Sequence, residues 1–170
     1  MTSPAPTIRP VTDADSGQVV SLIAACWVQY PGNVLDIAGE EPGLRAVASH
    51  YAAKGGRFWV ATLSFPQAEW VVGCVGVVPT HANPEAQAEL VKMYVHPRLR
   101  RLGIARRLAA LAEDTARGWG AAAIDLWSDT RFTEAHAFYQ ATGYTQTGET
   151  RGLHDRSRST EYHFLKRLSA

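Results

Sequence analysis

The spacing of apolar residues changes along the chain, and the changes mark out its elements. Residues 1–6 are a Pro/Ser/Thr tail without apolar pattern and are expected to be disordered. Residues 8–10 read as a short edge strand. Thr12, Asp13 and Asp15 are helix N-cap types ahead of Val19, Val20, Ile23 and Trp27 at helical spacing, a run ended by Pro31-Gly32. Signals over 33–41 are weak; a second helix is predicted over 42–54, closed by Gly55-Gly56. The runs 58–63 and 70–78 flank a turn at Pro66-Gln67 and read as a hairpin. A loop at 81–85 leads to a strand at 88–95, which breaks at His96-Pro97. Ile104, Leu108, Leu111, Ala112, Thr115 and Trp119 then recur at helical spacing, giving a helix that runs to about residue 118. A strand at 122–127, a helix at 132–141, a strand at 144–147, a polar loop at 148–159 and a strand at 160–165 complete the chain.

The resulting order, β-α-α-β-β-β-α-β-α-β-β, predicts an α/β fold: a mixed, mostly antiparallel sheet flanked by helices. The 170 residues suit one domain over 1–170, with no internal repeat and no linker. No apolar run approaches the ~18 residues a membrane span needs, and no charged-then-apolar leader opens the chain. The expectation is a cytoplasmic protein without a membrane partner. A net charge of +1 argues against a nucleic-acid partner.

The distribution of charge says more than the total. Residues 1–96 hold 5 Lys/Arg against 8 Asp/Glu, whereas 97–170 hold 12 against 8. The positive excess therefore belongs to the second half, as a polyanionic ligand there would require. Cys26 and Cys74 fall in a helical and a strand pattern without C-x-x-C pairing, and read as buried free thiols. The six histidines form no metal-binding spacing, so no metal is expected. Gly73 and Gly76 inside a strand read as close-packing or bulge positions.

That excess has a focus. Between the strand at 88–95 and the long helix lies Arg100-Arg101-Leu102-Gly103-Ile104-Ala105. The first turn of a helix carries N–H groups without internal partners and a partial positive charge. Gly103 and the small Ala105 let a ligand approach that backbone, and the arginines add full charges. Such a corner suits a pyrophosphate.

Arg-x-x-Gly-x-Ala at a strand-to-helix corner resembles the acyl-CoA pyrophosphate loop of GNAT-type N-acetyltransferases, whose pattern is Gln/Arg-x-x-Gly-x-Gly/Ala. The preceding Glu89-Leu90 and Tyr94-Val95-His96-Pro97, and the later Ala135-His136-Ala137-Phe138-Tyr139 with Gly143-Tyr144, resemble further blocks of that family in order and spacing. The detailed match covers roughly residues 88–148. The resemblance implies the GNAT fold and an enzyme that uses acetyl-CoA as acyl donor. It implies cofactor contacts from Arg100, Arg101, Leu102, Gly103, Ile104, Ala105 and Arg106, with the backbone of Met93, Tyr94 and Val95 holding the acyl carbonyl and pantetheine arm. A bulged strand there would leave N–H groups free for a ligand. Period-two alternation places Glu89, Val91, Met93 and Val95 on one face.

Transfer to an amine needs a base for the amine and a proton donor for the departing thiolate. Glu89, eleven residues before Arg100, stands where part of the family keeps a glutamate base; in many relatives an ordered water chain does this work. Tyr139 matches the tyrosine that faces the cofactor sulfur, although Phe132, Ala135, Phe138, Tyr139 and Thr142 would also bury one helix face. The family often has an asparagine seven residues before that tyrosine; here the position is Phe132, with Asp129, Thr130 and Arg131 as substitutes. Arg107 beside Arg106 is a further phosphate candidate.

The leading expectation is direct transfer from acetyl-CoA to a primary amine of a small molecule. The acceptor would sit between the region 27–41 and the loop 148–159, with Trp27, Tyr30, Trp59, Asp36, Glu40 and Glu41 compatible with a cationic amine. Two other readings stay open: a non-catalytic acyl-CoA-binding module, and an acetyltransferase acting on a protein amine. A homodimer is among the assemblies the resemblance allows.

Overall fold

A computed structural model describes residues 5–169, so the expected disorder of residues 1–4 falls outside the described residues. The rest of that predicted tail has a partner: the Pro6 carbonyl accepts a hydrogen bond from Arg107 at 2.9 Å. The elements follow the predicted order: β1 (Thr7–Pro10), α1 (Ser16–Trp27), α2 (Val47–Ala53), β2 (Arg57–Phe65), β3 (Ala68–Pro79), β4 (Ala88–Val95), α3 (Ile104–Gly118), β5 (Ala123–Asp129), α4 (Thr133–Ala141), β6 (Thr145–Gly152) and β7 (Thr160–Arg167). The strands form one seven-stranded sheet in the order β1-β2-β3-β4-β5-β7-β6. Every neighbouring pair is antiparallel except β4–β5.

Each face of the sheet buries one set of helices. Ile104, Leu108, Ala112 and Ala116 of α3, with Tyr139 of α4, pack over Val72, Leu90, Leu126 and Phe164. Val19, Leu22, Ile23 and Cys26 of α1, with Val47 and Tyr51 of α2, cover Val60, Val71 and Cys74. Gly73 permits the close approach of α3: a Cβ there would lie 3.1 Å from both Ile104 and Leu108. Trp119, placed by periodicity on the buried face of α3, lies just past the end of the helix and is 38% exposed; Ala116 fills that part of the interface.

The predicted helix over 42–54 divides. Pro42–Arg45 is a 3-10 turn, Ala46 leaves helical geometry at φ −146°, and α2 begins at Val47. The break lets both Leu44 and Val47 reach the core, and the Ser16 hydroxyl accepts the otherwise unpaired Val47 N–H at 3.1 Å. β6 extends beyond the predicted 144–147 to Gly152, pairing Thr150, Arg151 and Gly152 with β7 after an irregularity that contains Gly148 at φ +88°. All eight of its residues are exposed, so this edge strand carries no apolar alternation to read.

The feature that positions the site is the parting of β4 from β5. They pair only at Ala88↔Ile124 and Glu89↔Asp125, then diverge while both strands continue. Opposite the parting, β4 is bulged: Cys74 pairs with Tyr94 and Gly76 with Val91, so Lys92 and Met93 together face Val75, and Lys92 takes φ +52°. The Lys92 carbonyl accepts the Cys74 thiol at 3.2 Å. The extra residue reverses the alternation. Val91 and Tyr94 belong to the α1/α2 side, whereas Leu90, Met93 and Val95 belong to the α3/α4 side. The expected single face of Glu89, Val91, Met93 and Val95 is therefore split between the two sides.

Candidate active site

Two cavities open on either side of the parted strands. One, of about 770 Å³, is bounded by the end of α1, the last residues of β4, the basic corner and α4. The other, of about 760 Å³, lies between the segment that carries Glu40 and Glu41, α2, β4, β5 and the segment 151–161. Met93, Tyr94, Phe132, Ala135 and Tyr139 line both, so the cavities meet at the gap. Each lies within the usual size range of a small-molecule site.

The first cavity gathers most of the predicted cofactor residues. Met93, Tyr94, Val95, Arg100, Arg101, Gly103, Ile104, Ala105 and Arg106 all line it. Leu102 does not: its side chain is 64% exposed, leaving only its main chain to contribute. Gly103 caps α3 at φ +77°, and a Cβ built there would meet nothing within 4 Å. The glycine thus serves a left-handed turn beside open space. The first helical backbone bond at this corner runs from Arg107 N–H to the Gly103 carbonyl, leaving the N–H groups of Ile104, Ala105 and Arg106 without a backbone acceptor among the described residues. Arg107 points elsewhere, to Pro6. Unpaired donors at a helix start, room for close approach and the Arg101 and Arg106 side chains fit a pyrophosphate. Beyond Glu89, β4 has no strand beside it on the β5 side, so backbone groups over 90–95 face the gap.

Sequence reasoning missed a feature of this cavity. Arg100 does not stand free: it pairs with Glu134 on α4 and donates to Gln29 Oε1 at 3.3 Å, bridging the segment just after α1, the corner and α4. Glu134 would otherwise bring a bare carboxylate into an anion site. Its spacing from Arg100 in sequence gives no signal of the pairing.

Tyr139 is buried on α4 yet lines both cavities, and its hydroxyl makes no hydrogen bond among the described residues. Burial pushes its phenol well above the usual value. Its ring packs on Phe138, Tyr144 and Phe164 at 5.6–5.7 Å, so the core reading and the site reading hold together. Phe132 stacks on Tyr30 at 4.8 Å and takes part in the wall of both cavities as an apolar surface. Asp129 and Arg131, offered as polar substitutes for it, are bound to each other at 2.6 Å and do not line the first cavity; nor does Thr130.

Glu89 lines the second cavity, half-buried, without a hydrogen-bond or ion-pair partner among the described residues. Burial raises its carboxyl above the usual range, and the Asp125 charge adds to this. The other wall carboxylates are engaged: Glu40 with the Arg156 N–H at 2.6 Å, Glu41 with Lys92, Asp129 with Arg131 at 2.6 Å, Glu161 with Arg151 at 2.6 Å, and Asp155 with the Ser159 N–H at 2.7 Å. Of the residues expected around an acceptor, Trp27, Glu40 and Glu41 line this cavity, and Tyr30 lines the first. Trp59 and Asp36 line neither; Asp36 binds the N–H groups of Ala38 and Gly39. Leu153, His154, Asp155 and Ser159 supply the contribution expected from the loop.

Cys26 and Cys74 are both free and buried, as expected, and burial raises both thiols above their usual values. Neither is placed as an activated nucleophile. Among the described residues no group of three His, Cys, Asp or Glu side chains could hold a metal ion. No helix among them is long and apolar enough to cross a membrane.

Comparison with known proteins agrees with this geometry. The acetyltransferase (GNAT) family matches residues 19–144. The chain is 29% identical over 141 residues to the uncharacterized N-acetyltransferase YjgM of Escherichia coli K12, covering 82% of this chain and 81% of that one. A GNAT-family acetyltransferase structure from Staphylococcus aureus Mu50 superposes with a TM-score of 0.77 at 20% identity, over 97% of this chain and all of the other. YncA of Salmonella typhimurium, solved with its cofactor acetyl-CoA, gives 0.72 at 16% identity over 97% and 95%. The family match spans most of the chain and both cavity walls of β4. The protein belongs to the acetyltransferase (GNAT) family, enzymes that take their acetyl group from acetyl-CoA.

Proposed function

We propose that the protein transfers the acetyl group of acetyl-CoA directly to the primary amine of a small molecule while both are bound. The observation that carries this reading is the meeting of two cavities at the parted strands. One ends in a basic helix start, and the other holds an unpaired carboxylate. A donor and an acceptor entering from opposite sides would meet beside Tyr139 and the β4 bulge, with no need for an acyl-enzyme.

In this reading the N–H groups at the start of α3, with Arg101 and Arg106, hold the pyrophosphate. The backbone of Met93, Tyr94 and Val95 holds the pantetheine arm and polarises the thioester carbonyl. Bound acetyl-CoA supplies the activated acyl group. Glu89 accepts the proton that the acceptor ammonium must lose before its nitrogen can attack. Its raised carboxyl value makes it a better base than an exposed glutamate. Tyr139 stays protonated at working pH because its anion is disfavoured by burial, so its hydroxyl is available to the departing sulfur. A phenol with so high a value acts chiefly by donating a hydrogen bond as the thiolate forms. The sum is ammonium plus thioester giving amide, thiol and one released proton.

A thiol-release assay over a panel of small amines and amine-bearing peptides tests this. Initial velocities at varied acetyl-CoA and amine should give intersecting reciprocal plots, with small amines preferred. Parallel plots would demand an acyl-enzyme, and preference for peptides would move the acceptor class to protein amines.

A further inference from the structure

The last paired rung between β4 and β5 sets Glu89 beside Asp125, and cross-strand partners point to the same side of the sheet. Asp125 is 3% exposed and firmly held. Its Oδ2 accepts from Asn83 Nδ2 at 3.0 Å and lies 3.0 Å from His163 Nε2. His163 is itself buried, with Trp127 against its ring at 4.6 Å and Thr147 Oγ1 2.9 Å from Nδ1. Thr147 Oγ1 also accepts the Glu149 N–H at 3.3 Å. Asn83 Nδ2 also lies 3.4 Å from His163 Nε2, so Asp125, Asn83 and His163 form one polar cluster. Asp125 Oδ1 is buried without a partner.

The other charges around Glu89 are arranged differently. Glu161 on β7 is matched by Arg151 on β6, which also lies 4.3 Å above the Trp127 ring, and Lys54 follows α2. Among the described residues Asp125 pairs with no Lys or Arg; the basic side chain at its carboxylate is His163.

We propose that Asp125, clamped by Asn83 and His163, is the positioning residue of Glu89: its buried negative charge opposes a second one on the adjoining rung and makes the Glu89 carboxylate more basic. This rests on the reading of Glu89 as the base. The direction of the Glu89 shift agrees, with burial its largest cause, Asp125 next and Glu161 adding, while Arg151 and Lys54 oppose. The arrangement divides two tasks between two carboxylates. Asp125 is held by hydrogen bonds, and Glu89, with none among the described residues, has its carboxyl raised above the usual range. A base must give up its proton again after each turnover, and a carboxylate raised above its usual range can both take the proton and return it.

The test is a carbon-13 NMR titration of the whole protein labelled at the Asp and Glu side-chain carboxyls, with Glu89→Gln assigning the Glu89 signal. Asp125→Asn, which keeps the shape and an acceptor for both donors, should move the Glu89 midpoint to lower pH. In the unmutated protein the Asp125 signal should inflect at the Glu89 midpoint and lose that inflection in Glu89→Gln, a readout that does not depend on Asp125→Asn folding. An unmoved midpoint, or no shared inflection, would overturn the proposal. In turnover, the acid limb of kcat/KM should move with the midpoint while KM for acetyl-CoA stays constant. Full activity with an unchanged acid limb in Glu89→Gln would instead remove Glu89 as the base, whatever the NMR coupling shows.

Discussion

The two cavities that meet at the parted strands are built in opposite ways. The first is mostly local: Met93 to Arg106 supplies a bulged strand, a basic turn and a helix start, and α1 and α4 close it. The second is assembled from separate stretches of chain, with Glu41, Lys54, Glu89, Trp127 and Glu161 brought together only by the sheet. A site made of contiguous backbone tolerates many side chains around a few fixed positions. A site made of distant side chains is specified by its tertiary structure. The difference teaches where selectivity resides: the first cavity suits a ligand common to a family, the second an acceptor particular to this chain.

Substitutions can break this comparison in order of expected effect. Tyr139→Phe, at the junction, should lower kcat about 10²–10³-fold with acetyl-CoA affinity unchanged, because it removes one donor to the forming thiolate and no packing volume. Steady-state rates and calorimetric binding would check both halves. Glu89→Gln, confined to the second cavity, should cost about 10²-fold in kcat, the lower end of what a positioned base supplies. Because a base must be deprotonated, activity in the unmutated enzyme should rise with pH through a value above the usual carboxylate range, and Gln should remove that limb.

Gly76→Ala should disturb both cavities through the fold. Its Cβ would lie 2.7 Å from the Phe58 ring and 2.9 Å from Val91, opposite the bulge, and overpacking of this kind costs about 1–3 kcal/mol in urea unfolding. The smallest effect should leave both cavities untouched. Asp15 is bound by Arg9 at 2.8 Å, which holds its carboxyl down to about 2. The stabilisation is therefore full above the ordinary value of 3.8 and is lost as pH falls from there to about 2. With Arg9 partly exposed, about 1–2 kcal/mol should disappear across that window and be reduced in Arg9→Met, where the Thr12 N–H and hydroxyl still hold the carboxylate.

Legibility in the sequence follows the same division. The strand 88–95, the glycine corner and the long helix were readable because apolar period and turn chemistry are local properties, and the family resemblance rests on the same stretch. The sequence resemblance points to a bulged strand around Met93–Val95 as a way to free backbone groups, but the position of the bulge at Lys92 and its reversal of the strand faces depend on the register with β3. The break at Ala46 was hidden because Leu44, Val47 and Tyr51 have helical spacing, while the cap on Val47 comes from Ser16, far away in sequence. β6 was half missed because an exposed edge strand has no apolar alternation. The Arg100–Glu134 pair and the Asp125–His163 contact join residues 34 and 38 apart, and nothing in spacing or composition ties them.

The central claim is that the corner at Gly103 is the acetyl-CoA site, and thermal unfolding with and without acetyl-CoA tests it most directly, in the unmutated protein and in Gly103→Glu. At ~100 times the dissociation constant, ligand should stabilise the unmutated protein by about 2.7 kcal/mol. Gly103→Glu should lose that gain, since it places a charged side chain and a strained left-handed residue where the phosphates must approach. Equal stabilisation of both proteins would contradict the account by placing the cofactor elsewhere, and no stabilisation of either would leave the corner as a helix start alone.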